Sequence, residues 1–132
     1  MMALVSGEIT TDVRGCPLGA ANVAGKISNV WLSVEASGKD DAATLSLTAD
    51  VKINGTSCLD TAPIIAHVSG EASTNKTTKD DAGTGVTQCA MDDDNNDVSY
   101  GDVLTYDMVL TRTASPTTEM RTFAIAVEFE PA

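Results

Sequence analysis

Thr44-Leu45-Ser46-Leu47-Thr48-Ala49-Asp50-Val51-Lys52-Ile53, closed by Asn54-Gly55, decides the fold class. Leu45, Leu47, Ala49, Val51 and Ile53 fall on one side of an extended chain; Thr44, Ser46, Thr48, Asp50 and Lys52 fall on the other. A period of two marks a strand with one dry face and one wet face. Asn-Gly then supplies a positive-φ turn whose twist suits a tight hairpin.

Just upstream, Lys26–Ala36 repeats the alternation. Val30, Leu32 and Val34 interleave with Trp31, Ser33 and Glu35, which sets the only tryptophan on the face opposite the Val-Leu-Val row. The polar turn Ser37-Gly38-Lys39-Asp40-Asp41 joins the two strands, and they are expected to pair antiparallel. Downstream, Thr56-Ser57-Cys58-Leu59 starts a return strand that Asp60-Thr61-Ala62-Pro63 interrupts, and Ile64–Val68 is a short apolar run read as strand. Residues 69–85 read as a long surface loop with a short edge strand at Ser73–Thr78. Val86–Met91 is a short strand before the acidic cluster 92–97. Two strong strands close the chain. Val103–Arg112 has Leu104, Tyr106, Met108 and Leu110 on one face. Met120–Glu130 has Phe123, Ile125, Val127 and Phe129 facing in, after a loop at Thr113–Thr118.

About eight short strands between turn signals, with no substantial helix, predict an all-β, antiparallel, jelly-roll-like β-sandwich. Residues 25–132 form its single domain. Residues 1–24 read as an N-terminal arm or edge segment, with a short strand at Gly7–Val13 that Gly15-Cys16-Pro17-Leu18-Gly19 ends. A chain of 132 residues is long enough to bury a core without disulfides or metal. Aromatics are only 4%, so that core must be built from Val, Ile, Leu, Ala and Met.

The net charge is −11, a surface that repels phosphate backbones and anionic membranes. Neither nucleic acid nor membrane is expected as a direct partner; a basic protein surface or bound cations are compatible. Cys16, Cys58 and Cys89 are odd in number and widely spaced, which is not a disulfide framework. No secretory signal and no membrane span is read, so synthesis in a reducing cytoplasm is expected.

Candidate sites are few. Asp92, Asp94 and Asn96 have the first spacings of a calcium loop, but Asp97 stands where glycine is needed and Val103 where glutamate is needed. They read as a solvated hairpin tip and only as weak cation candidates, so no metal is expected. Cys16, Cys58, Cys89 and His67 add up to a zinc set on paper, without the close ligand pairs zinc motifs show. His67, the only histidine, has no nucleophile signature around it. Asn54-Gly55-Thr56 and Asn75-Lys76-Thr77 match a glycosylation acceptor, and hairpin geometry accounts for the first. Trp31 is open to three roles: interface anchor, core residue or sugar platform. Val109 is a second interface candidate. No cofactor motif and no catalytic constellation is present, so none is expected, and the chain is read as non-enzymatic.

Val30-Trp31-Leu32-Ser33-Val34, Asp50-Val51-Lys52-Ile53-Asn54-Gly55-Thr56 and Tyr100-Gly101-Asp102-Val103-Leu104, set in a Thr-, Ala-, Gly- and Ser-rich chain with few lysines, resemble small β-sandwich structural proteins of tailed-bacteriophage virions. Capsid decoration, or cement, proteins belong to this group. The resemblance covers residues 26–130 in texture and transfers no functional residue. It implies a virion location, self-association as a homo-oligomer with a trimer favoured, and contact with a major capsid protein or another virion protein. The alternative is a carbohydrate- or receptor-binding sandwich module of a tail or head fibre. It requires Trp31, Tyr100 or Tyr106 exposed in a concave site.

Overall fold

The computed structural model describes residues 1–80, 83–113 and 115–132; residues 81, 82 and 114, within the stretches read as loops, lie outside the described residues. In chain order the strands are β1 (Met2–Ile9), β2 (Val13–Ala20), β3 (Gly25–Ala36) and β4 (Ser46–Ile53), then the short pieces β5 (Thr56–Ser57), β6 (Leu59–Thr61), β7 (Ile64–Ala66), β8 (Lys76–Thr77), β9 (Val86–Thr87), β10 (Ala90–Met91) and β11 (Asp97–Val98), and finally β12 (Val103–Thr111) and β13 (Met120–Pro131). No helix occurs among the described residues.

Two antiparallel sheets carry the fold. The first runs β1-β13-β3-β11, with β8 also on β3; the second runs β2-β12-β4-β7-β9, with β5 also on β4. A two-stranded ribbon, β10-β6, flanks them. This is an all-β sandwich, and alternation explains its layers. Val30, Leu32 and Val34 of β3 and Phe123, Ile125 and Val127 of β13 are buried from one side; Leu47, Ala49 and Val51 of β4 and Leu104, Tyr106 and Met108 of β12 are buried from the other. The sheets interlock where Tyr106 and Phe123 meet edge to face, with ring centroids 6.3 Å apart. Burying a ring such as Phe123 contributes about 3 kcal/mol in a core with so few aromatics.

The Asn-Gly turn forms as expected. Asn54 (φ 49°) and Gly55 (φ 88°) both take positive φ, and β5 returns on β4 with Ile53 opposite Thr56.

Three expectations need correction. β3 and β4 do not pair. β3 pairs with β13 from Arg121↔Ala36 to Pro131↔Gly25, and β4 pairs with β12 from Leu104↔Ile53 to Thr111↔Ser46. The connecting residues cross from one sheet to the other through Gly38, whose φ of +74° leaves no room for a side chain: a Cβ there would sit 2.7 Å from both the Leu45 side chain and the Thr118 carbonyl. Alternation tells which face is dry but not which strand lies alongside. Second, the short strand expected at Gly7–Val13 is divided: Gly7–Ile9 ends β1, residues 10–12 form the corner, and Val13 opens β2, which runs on through the Gly15–Gly19 stretch expected to end it. Residues 1–24 thus contribute one edge strand to each sheet, β1 on β13 and β2 on β12. Third, the strand expected at Val86–Met91 divides into β9, which pairs with β7, and β10, which pairs with β6.

The 69–85 stretch is tied down at both flanks. His67 Nδ1 accepts the Asp40 N–H (3.3 Å), and its Nε2–H donates to the Glu71 carbonyl (3.0 Å), which sets the neutral Nε2–H tautomer. The Lys76 ammonium donates to Ala66 O and Thr84 O at 2.9 and 2.7 Å and pairs with Glu71. β8, within the segment expected as an edge strand, lies against β3 at Ser33 and Val34.

Candidate functional site

With the apolar halves of the long strands spent on the core, their other halves form two outer faces. On the second sheet, β4 offers Thr48, Asp50 and Lys52, and β12 offers Thr105, Asp107 and Val109. The register sets Asp107 directly opposite Asp50. Like charges in that position repel unless something compensates. Here Lys52 Nζ lies 2.9 Å from Asp107 Oδ2, and the Gly15 N–H of the irregular β2 donates to Asp107 Oδ1 at 2.7 Å. Ser57 donates to Asp50 Oδ1 at 2.6 Å. The Lys52 hydrogen bond, then the Gly15 amide, hold the Asp107 carboxyl below the usual carboxylate range, and Asp107 in turn raises Lys52. Asp107 is only 8% exposed.

Asp50, Lys52, Ser57 and Asp107 line a concavity of about 430 Å³ together with Arg14, Asp60 and Val109. Chemically it is a polar cup in which Arg14 and Lys52 face Asp50, Asp60 and Asp107. Asp107 is held ionised by its partners and is poorly placed to act as the proton donor that a carboxylate-pair hydrolase requires. Val109, an interface candidate from the sequence, sits half-buried on the rim, opposite Thr48.

The outer face of the first sheet is different in kind. The pairings Met2↔Ala126↔Trp31 and Leu4↔Ala124↔Ser33 run side by side across β1, β13 and β3. Met2 and Leu4 are 70% and 63% exposed. Trp31 is half-buried on this face, with Lys79 Nζ 4.1 Å above its ring. An apolar strip of Met2, Leu4, Ala124, Ala126 and Trp31 therefore crosses the outside of the sheet from the edge of β1 to the tryptophan, bordered by Ser33 and the Lys79 ammonium. Around the corner from β1, Met1, Val23, Val127 and Phe129 line an apolar cavity of about 200 Å³.

The remaining sequence candidates are dispersed. Asp92 spends its carboxylate within its own turn, accepting the Asp94 N–H (3.0 Å) and the Asn95 amide (2.7 Å). Asn96 turns inward and donates to the Ile27 carbonyl at 3.1 Å, so it does not share the solvated tip with Asp92 and Asp94. Among the described residues no three His, Cys, Asp or Glu side chains converge as metal ligands. All three cysteines are free thiols. Burial pushes the Cys58 thiol up to about 12 and raises Cys89, so neither is a ready nucleophile. Of the aromatic residues that a sugar site would use, Tyr106 is in the core, Trp31 lies under Lys79, and Tyr100 projects 79% exposed from a turn.

No known protein family, curated protein or solved structure matches this chain.

The Asp107–Lys52–Gly15 set escaped the sequence reading because its members come from three strands far apart in the chain. The one visible signal was that Asp50, Lys52 and Asp107 all occupy wet positions of strong strands. The continuous outer face was hidden for the same reason: Met2 and Leu4 join Trp31 only through β13.

Proposed function

We propose that this chain is a non-enzymatic structural protein of a phage particle, a capsid decoration protein that stabilises a shell through many repeated surface contacts. The observation that carries this reading is the apolar strip on the outer face running from Met2 and Leu4 through Ala124 and Ala126 to Trp31, where the Lys79 ammonium closes it. Large contiguous apolar surface on a sheet exterior marks an interaction face rather than a solvated one. The acidic balance keeps such a subunit soluble until it finds its lattice. The resemblance in strand texture points the same way, and weak contacts repeated across a shell add up through multivalency. Its partners would be copies of itself and a shell protein, and its place the virion.

The test is addition of purified protein to empty shells of the phage that encodes it. Saturable co-sedimentation at a fixed ratio to shell subunits, with a raised rupture temperature, is the expected result. No co-sedimentation at any micromolar concentration would sink the proposal. A glycan array run in parallel addresses the fibre-module alternative, which requires Trp31, Tyr100 or Tyr106 exposed in a concave site.

A further inference from the structure

We infer that the free edge of β1 is a docking strand for β1 of a second copy, joining two five-stranded sheets into one continuous sheet about a two-fold axis at Leu4. This deepens the assembly reading by naming the first partner, and it rests on that reading for its purpose but not for its geometry.

The geometry begins with the hydrogen bonds of the first residue. The Val127 N–H donates to Met1 O at 2.8 Å, and the Met1 amine donates back to Val127 O at 3.3 Å. Antiparallel ladders alternate bonded and non-bonded pairs. Met1, Ala3 and Val5 therefore aim their backbone groups at β13, and Met2, Leu4 and Ser6 aim theirs outward along the free edge. The Gly7 N–H turns back to Thr122 Oγ1 (3.1 Å), which ends the outward series at a bulge where the register shifts between Val5 and Glu8.

Sheet edges are ordinarily blunted by charge, proline, bulges or shortness. β2, the corresponding edge of the second sheet, carries Arg14, Pro17, two positive-φ glycines and two register shifts. β8, β9 and β11 have two residues each. Residues 2–5 of β1 have none of these devices; the bulge begins only after Val5.

The occupant is a second copy because the edge complements itself. With Leu4 opposite Leu4 of the other copy, Met2 faces Ser6 and Ser6 faces Met2, and each of these outward-aimed residues exchanges both backbone bonds, about six in all. The register keeps Met2 and Leu4 on the outer face, so the apolar row from Trp31 to Leu4 runs on into its symmetry mate. Charge selects the same site. A chain of net charge −11 repels its own copies, and residues 1–7 contain no ionisable side chain. A basic partner would be drawn to the acidic surfaces; an uncharged strand suits another uncharged strand.

The experiment is sedimentation equilibrium of the full chain over a micromolar dilution series, for the native sequence, Leu4→Lys and Leu4→Cys. Cys16 and Cys89 are replaced by serine in the Leu4→Cys chain. A dimer is expected for the native chain, its loss in Leu4→Lys with an unchanged urea midpoint, and a disulfide-linked dimer in Leu4→Cys but not in Ala3→Cys. A monomer at all concentrations, a trimer, or a dimer indifferent to Leu4→Lys would overturn the proposal. Shell binding measured on the native chain separates the two claims: a native chain that stays monomeric yet still binds shells ends the β1 pairing and leaves the decoration role standing.

Discussion

The two outer faces of the sandwich are built from strands of the same alternation, yet one satisfies itself and the other does not. On β4 and β12 the wet positions hold Asp50, Lys52 and Asp107, and each charged group there has a hydrogen-bonding partner within the chain. On β1, β13 and β3 a strip of outward positions holds Met2, Leu4, Ala124, Ala126 and Trp31, with the Lys79 ammonium over the ring. A face whose polar groups pair internally contributes to folding. A face of exposed apolar side chains gains nothing until something covers it. Substitutions on the first face should therefore be read in stability, and on the second in association.

The largest effect on folding is expected from Asp107→Ala. It leaves the Gly15 N–H without its acceptor and deprives Lys52 of its counter-charge, at a cost of about 2 kcal/mol in urea denaturation. A change within error would mean that this face is not self-satisfied.

Acid should produce the same loss without mutation. The Asp107 carboxyl is depressed below its ordinary value of 3.8, so its contribution is fully present above that value and is lost as pH falls through the lower, folded value. Denaturation midpoints of native and Asp107→Asn protein should converge as the pH drops below about 3.8, and parallel curves throughout would contradict the assignment.

On the other face, Lys79→Ala should cost only about 0.5–1 kcal/mol, the range for a cation over an exposed ring. Its clearer sign is a red shift of the Trp31 emission as water replaces the lysine stem. The smallest folding effect belongs to Leu4→Lys, within about 0.5 kcal/mol for an exposed edge position. Thermal unfolding of the dilute chain measures it, and a large loss there would show that Leu4 supports the monomer rather than an interface.

Alternation along the long strands made the all-β sandwich legible, together with the inward rows Val30-Leu32-Val34 and Phe123-Ile125-Val127 and the Asn54-Gly55 turn. These depend on neighbours within a few residues, through side-chain period and local φ, and such information is written in the chain directly. Strand partners were not legible. The expectation that Lys26–Ala36 would pair with residues 44–53 failed because both strands are equally amphipathic, and choosing between pairing edge to edge and stacking face to face depends on the whole set of strands. For the same reason no window of sequence could show that the 1–24 segment supplies an edge to each sheet, or that Asp107 would meet Lys52 and Gly15. By itself, the sequence determined which side of β3, β4, β12 and β13 is dry and where one turn must fall, since those follow from local stereochemistry. Only the tertiary structure decided which wet sides balance their own charges and which edge is left unpaired, because both are properties of residues brought together from opposite ends of the chain.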